Sequence, residues 1–315
     1  MSKTIDEGLF LEVGGLRQWV TIRGRDRTHP ALMILAGAGA AFSAMAPVFA
    51  PWEERFTLVQ WDQPGSGATQ AANPDDKAPL TYDRLARDGV AVAEAVCARL
   101  GMDRLALFAI SGGSVTGLKM LRAGPDRFSA YVGNGQVTNW RRQEALAYAI
   151  MLEQQAGDAA ATAELKAIGP PPWADVGAEL AKSKYANAMT PAEQAAMAAA
   201  PMALVREPPP GASWVAPVPP VADPYTAAYA AYQAIRPELL AFDAETLGLA
   251  FDLPMIFLQG ARDAHTPAAE VEAFAAKLTA PVVRYVPIDE GGHMSTFLVA
   301  RLGALLDEHL RPLIA

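Results

Sequence analysis

Cysteine is almost absent from this chain: Cys97 stands alone among 315 residues, so no internal disulfide is available. It falls on the apolar stripe of a helix and reads as a small buried hydrophobe. Histidine is nearly as scarce. The four histidines and the cysteine lack zinc-ligand spacing, so neither a metal nor an organic cofactor is expected. No apolar run reaches the length of a membrane span, which excludes a spanning helix. Residues Met1 to Glu7 lack the basic start and apolar stretch of a secretory signal, so the expected location is the cytoplasm. Positive charge is also in deficit, with 26 Lys and Arg against 34 Asp and Glu, a net charge of −8. That balance argues against a nucleic-acid surface, and Arg23, Arg25 and Arg27 are too few to offset it.

Apolar residues, at 51% against 19% charged, are sufficient for a large globular core. Strand-like segments at 9–13 and 16–22 flank Gly14-Gly15 and read as a β-hairpin. Ala31 to Leu35 is a continuous apolar run, the pattern of a strand covered on both faces, and it ends in Ala36-Gly37-Ala38-Gly39-Ala40. A short helix over 43–52, a strand at 57–61 and a long amphipathic helix from Tyr82 to Leu100, capped by Gly101, follow. Strands at 105–110 and 129–133 bracket another helix. This alternation predicts a mostly parallel α/β sheet with helices on both faces. From 137 to 250 the rhythm changes to alanine-rich helical stretches, and the eight prolines between Pro201 and Pro224 predict an irregular crossing. Strands resume at 254–260 and 282–286. The expected organisation is a core of 1–136 and 251–315 with a helical insertion at 137–250.

Ser111 sits where the strand Leu105–Ile110 turns directly into a helix beginning Gly112-Gly113. Such a corner forces strained backbone on the serine and is tolerable only between tiny neighbours, here Ala109 and Gly113. The corner lifts the serine oxygen above the sheet edge and aims the Gly112 amide at the same point, giving a nucleophile and half an oxyanion hole. The second donor is expected from the 36–40 loop, at Ala38, with Gly37 or Gly39 as neighbouring registers.

Asp263 follows the strand ending at Gly260, and Thr266-Pro267 after it signals a helix start. His293 follows the last strand through Gly291-Gly292. Three loops on one sheet edge therefore carry serine, aspartate and histidine in that order, the arrangement of a nucleophile, its base and the acid that orients the base. His265, two residues beyond the acid, reads as a loop residue lining the site entrance. His29 and His309 read as surface groups. Asn134 is neutral and cannot replace Asp263.

The chain resembles the α/β-hydrolase superfamily over most of its length, and within it the proline iminopeptidase-like serine hydrolases. Ala-Ile-Ser111-Gly-Gly-Ser is similar to that group's Gly-x-Ser-x-Gly-Ser, and Asp62-Gln63-Pro64-Gly65-Ser66-Gly67 to its Asp-Gln-Arg-Gly-Ser-Gly. Asp263 in Gly-x-x-Asp-x-x-Thr-Pro and His293 in Gly-Gly-His match its acid and base motifs. The resemblance implies an α/β-hydrolase fold in which 137–250 is a helical cap. It departs at the oxyanion loop, commonly His-Gly-Gly-Pro-Gly in that group, and at Pro64, which replaces an arginine.

The expected activity is hydrolysis by acyl transfer through Ser111, Asp263 and His293. The resemblance implies an aminopeptidase that removes an N-terminal residue from small peptides. A free amino terminus needs an acid, and the candidates are Glu144 and Glu207, with Glu153, Glu179 and Asp223 also in the insertion. Trp140 is the expected apolar contact. The alternative is an esterase or lactonase using the same triad, favoured by Trp140, Trp173, Trp214 and Tyr225. A non-catalytic small-ligand-binding protein is the alternative outside enzymology. Dehalogenase and epoxide-hydrolase chemistry would need a carboxylate where Ser111 stands. A small molecule or short peptide is the expected partner, with no nucleic acid or membrane.

Overall fold

The computed structural model describes residues 3–37, 39–173 and 176–314. Eight strands form one sheet: β1 (Ile5–Val13), β2 (Leu16–Gly24), β3 (Ala31–Leu35), β4 (Thr57–Trp61), β5 (Leu105–Ile110), β6 (Phe128–Asn134), β7 (Met255–Gly260) and β8 (Val283–Ile288). Their order is β1-β2-β4-β3-β5-β6-β7-β8. Only β2 runs against its neighbours, and the pairings from β4 across to β8 are parallel. Gly14 and Gly15, at φ 60° and 79°, make the tight hairpin turn that joins β1 to β2.

The helices are α1 (Ala46–Phe49), α2 (Gly67–Ala72), α3 (Tyr82–Leu100), α4 (Gly113–Ala123), α5 (Trp140–Gln154), α6 (Ala159–Ile168) and α7 (Val176–Ala186). They continue as α8 (Pro191–Ala199), α9 (Met202–Arg206), α10 (Pro224–Leu240), α11 (Ala268–Ala275), α12 (Val299–His309) and α13 (Arg311–Ile314). α3 starts at Thr81, whose hydroxyl accepts from the Arg84 amide, and stops at Gly101 in the left-handed conformation.

The period-2 alternation of the central strands sorts their side chains into two cores. Met33, Leu35, Leu107, Tyr131 and Phe257 face α3, α4 and α11, with Val96, Leu118 and Phe274 packed against them. Leu32, Ile34, Phe108, Val132 and Leu258 face the other way, onto Trp52, Leu302 and Leu306. Strands buried on both faces need no polar alternation, which is why β3 and β5 are apolar throughout. Cys97 lies buried and unpaired in the first core, and burial pushes its thiol up from its ordinary pKa.

Between β6 and β7 the described residues form helices and no sheet strand. The two ends of this segment are tied by an isolated bridge between Asn139 and Asp243 and by the Trp140 amide donating to the Phe242 carbonyl at 3.1 Å. Within it, Met151, Leu165, Trp173 and Tyr185 make a separate small core. The stretch 201–224, expected to be irregular, contains the short helix α9. The interval between Pro201 and Pro208 is free of proline, so one turn of helix closes there before the following prolines stop it.

β5 passes into α4 through Ser111 at φ 51°, the one non-glycine residue with positive φ among those described. The turn holds because the Ser111 amide donates to the Asn134 carbonyl at 2.9 Å and its carbonyl accepts from the Ser114 amide at 2.8 Å. Ser114 Oγ adds a second bond to that carbonyl, at 2.6 Å. Gly113 lies against β3: a Cβ there would sit 2.4 Å from the Leu35 carbonyl oxygen and 2.7 Å from that of Ala36. Backbone cannot yield as a side chain does. Gly113→Ala is therefore expected to destabilise the fold by about 1–3 kcal/mol, measured by urea denaturation.

Candidate active site

Ser111 at the end of β5, Asp263 after β7 and His293 after β8 meet at the carboxyl edge of the parallel strands. Ser111 Oγ lies 3.0 Å from His293 Nε2, and His293 Nδ1 lies 3.0 Å from Asp263 Oδ2 and 3.2 Å from Oδ1. The sequence places these residues 182 and 30 positions apart, and the sheet brings them into one hydrogen-bonded line.

Asp263 is 2% exposed, so its charge needs donors. Oδ1 accepts from the amides of His265 and Thr266 at 2.7 and 2.8 Å, and Oδ2 from Thr266 Oγ1 and Gln259 Nε2 at 2.7 and 3.0 Å. Burial alone would raise its pKa, but the His293 ring and these donors outweigh it and hold the carboxyl below its ordinary value. An ionised acid at Nδ1 favours the tautomer with its proton there, which leaves Nε2 free to accept from Ser111 Oγ.

The His293 loop is gripped from the helical segment. At the start of α8, the Glu193 carboxylate accepts from the Thr190 amide at 2.8 Å and from the Gly292 amide at 2.7 Å. The Thr190 hydroxyl donates to the Glu290 carbonyl at 2.7 Å. One capping box therefore both starts α8 and holds the chain immediately before His293. Gly260 allows the loop to close from below, since a Cβ there would meet the Gly292 carbonyl oxygen at 2.2 Å.

A cavity of about 310 Å³ opens on Ser111. Gly112 and Gly37 form its floor beside the serine, and the two glycines face each other: a Cβ on Gly112 would lie 3.5 Å from Gly37 Cα. Ala38, expected as the second oxyanion donor, lies outside the described residues. Its neighbour Gly39, at φ 86°, lets α10 approach, because a Cβ there would meet the Ala228 carbonyl oxygen at 2.7 Å. The Asp62–Gly67 motif supports this loop from behind. Gln63 Nε2 donates to the Ala36 carbonyl at 2.9 Å, and buried Asp62 accepts from the Ser43 and Ala68 amides at 3.0 and 2.9 Å.

The opposite wall comes from the helical segment. Trp140 lines the cavity, as do Leu180, Tyr229, Tyr232 and Glu179. Glu179 accepts from Arg236 Nε at 2.6 Å and from the Tyr232 hydroxyl. Glu144 is buried outside the lining, 3.7 Å from the Lys182 ammonium, and burial pushes its carboxyl up. Lys182 is itself 1% exposed, packed 4.7 Å from the Trp173 ring and 5.6 Å from that of Trp140, and burial lowers its pKa. Glu207 is exposed at the end of α9, outside the lining, as are Glu153 and Asp223. Of the five acids named from the sequence, Glu179 is the one on the wall. Tyr82 also lines the cavity and was not singled out in the sequence, where an aromatic at the start of an amphipathic helix carries the ordinary signal of core packing.

His265 lines the cavity with its ring 4.4 Å from that of His293 and 5.8 Å from that of Trp140. Burial, then the neighbouring His293 and Lys182 charges, hold its pKa well below 6.5. As pH falls below 6.5 the unfolded chain binds a proton at this position that the native state refuses, so stability decreases with falling pH in that window. His265→Asn is expected to flatten the loss of melting temperature from pH 6.5 downward, measured by thermal denaturation across a pH series.

No protein-family model matches the chain. The probable aminopeptidase YbaC of Bacillus subtilis is 29% identical over 167 residues, a match covering 52% of each protein, so the chain spans about half the length of this curated relative. Among solved structures, a proline iminopeptidase-related protein from Thermus thermophilus superposes with a TM-score of 0.64 at 22% identity, covering 98% of this chain and 99% of that one. A thermophilic esterase from Thermogutta terrifontis gives 0.58 at 15% identity, covering 99% and 100%. An N-acyl homoserine lactone degrading enzyme gives 0.62 at 16%, covering 96% and 100%. The strand order, the strained serine after β5 and these end-to-end superpositions together give the chain the α/β-hydrolase fold.

Proposed function

We propose that the protein is a serine hydrolase that works through an acyl-enzyme on Ser111. The observation that carries this reading is the line from Ser111 Oγ through the His293 ring to the ionised, buried Asp263, with 3.0 Å at both junctions. His293 Nε2 takes the proton of Ser111 as its oxygen attacks a carbonyl carbon, and Asp263 stabilises the imidazolium. The Gly112 amide and one amide of the 36–40 loop receive the oxyanion. The proton on Nε2 then passes to the leaving amine or alcohol, and water repeats the sequence on the acyl-enzyme. Segment 137–250 serves as the cap that covers the acyl group and excludes bulk water.

The leading substrate reading is removal of an N-terminal residue from small peptides. The names of the Bacillus and Thermus proteins support it, as does a buried carboxylate, Glu179, on the cavity wall where an ammonium would be bound. A second reading, hydrolysis of small uncharged esters or lactones, is favoured by charge compensation. Glu179 on the wall is already paired with Arg236, and Glu144 behind it with Lys182, so this side of the cavity offers an incoming ammonium no net negative charge.

Ser111→Ala and His293→Ala are each expected to lower kcat by about 10⁴-fold or more and to leave the fold intact, and Asp263→Asn by about 10⁴-fold. A fluorophosphonate should label the wild-type protein at Ser111, and a wild-type protein that stays unlabelled is a binding protein instead. Comparing proline naphthylamide with short p-nitrophenyl esters separates the substrate classes, since ester turnover without amide turnover removes the aminopeptidase reading.

A further inference from the structure

Tyr82 presents a feature that the triad does not use. It is 1% exposed, its ring is packed in the sheet core, and its hydroxyl is shielded yet has no hydrogen-bond partner among the described residues. A buried tyrosine hydroxyl normally has a partner, because desolvating it without one is costly. The residue nevertheless lines the cavity that opens on Ser111. Its hydroxyl lies 3.7 Å from the point where a Cβ on Gly112 would be, and that same point lies 3.5 Å from Gly37 Cα. The unpartnered oxygen therefore converges on the corner bounded by Gly112 and the 36–40 loop, where the oxyanion is expected. Two other lining residues carry shielded nitrogens without a partner among the described residues, Trp140 and His265, but the indole lies beside Glu144 and the imidazole packs against the His293 ring.

Tyr82 is also rigidly held. It is the first residue of α3, directly after the Thr81 cap, and its amide donates to Glu238 of α10 at 3.2 Å. A donor that does not have to reorganise when charge develops is what stabilisation of a transition state demands. Burial, followed by the negative charge of Glu238, raises the phenol's pKa, so the group keeps its proton and acts as a donor.

We propose that the Tyr82 hydroxyl is a third oxyanion donor, adding a side-chain hydrogen bond to the backbone donors at Gly112 and the 36–40 loop. No proton is transferred from it: it shortens its bond to the carbonyl oxygen as the C=O π electrons move onto that oxygen, and relaxes when the tetrahedral intermediate collapses. The assignment rests on the serine-hydrolase reading above.

The test is Tyr82→Phe, which keeps the ring and deletes one oxygen. With p-nitrophenyl acetate, kcat is expected to fall about 10- to 100-fold with KM unchanged, and the rate of fluorophosphonate labelling should fall alongside it. Because the deleted hydroxyl is buried without a partner among the described residues, the melting temperature should stay level or rise. A merely structural role would lower the melting temperature and the rate together, and that result overturns the proposal. So does unchanged kcat and labelling, or a rise in KM with kcat preserved, which would mark a ground-state contact. Wild-type protein that neither turns over esters nor labels defeats the serine-hydrolase reading and this assignment with it. Wild-type labelling that Tyr82→Phe does not slow defeats this assignment alone.

Discussion

A carboxylate buried to 2% exposure keeps its charge only if donors replace water, and the organisation of the site follows from how Asp263 meets that demand. Two backbone amides, a hydroxyl and a side-chain amide converge on it from the stretch 259–266, so the loop after β7 folds around its own acid. His293 supplies the remaining contact from a different strand. The acid therefore does two things at once: it closes its own loop, and it fixes the plane and tautomer of the imidazole. Loss of its negative charge would release both.

The helical segment between β6 and β7 also has a double function in the fold. Its walls supply Trp140, Glu179 and Tyr232 to the cavity, and the start of α8 holds Gly292 through Glu193. The base and the cavity wall are consequently not independent. A movement of the helical segment that carried α8 with it would have to break the Glu193 contact, and that would loosen the residue next to His293. The tilted contact of the His265 ring with that of His293, at 4.4 Å, adds a second link between wall and His293, because Trp140 packs edge-on against the His265 ring.

Local rules make some of this readable from the chain alone. Ser111 stands out because a strand that becomes a helix at a single residue, between Ala109 and Gly113, demands a strained corner, and the structure gives the residue its positive φ. β3, β4 and β5 are legible residue by residue, since a strand buried on both faces has a compact run with sharp ends. β1 and β8 run past their expected ends because those ends depend on pairing with a neighbour, which no local pattern encodes. The cap-side residues are harder for a related reason. Glu179 and Glu144 are equivalent as letters on helices of the insertion, and only the packing of α5, α7 and α10 separates a carboxylate on the wall from one behind it. Tyr82 is hidden because its ring satisfies the amphipathic pattern completely, and its unpartnered oxygen is a property of three segments together.

The electrostatics of the wall bear on why those buried ions are there at all. Pairing Glu179 with Arg236 and Glu144 with Lys182 stabilises little on balance, because each partner gives up its hydration to enter the segment. Replacing a pair by apolar residues would be the simpler way to fill the same volume, and Trp140, Trp173 and Leu165 already do so nearby. Paired ions do give direction: Arg236 donates both to the carboxylate of Glu179 and, at 3.2 Å, to the Trp173 carbonyl. The arrangement thus sets the orientation of one carboxylate and the Tyr232 hydroxyl against a cavity that also carries the apolar side chains of Trp140, Leu180, Ile235 and Leu239. On the serine-hydrolase reading proposed above, a polar end and an apolar body of one small substrate would be read by that contrast, with the reacting carbonyl held at Ser111.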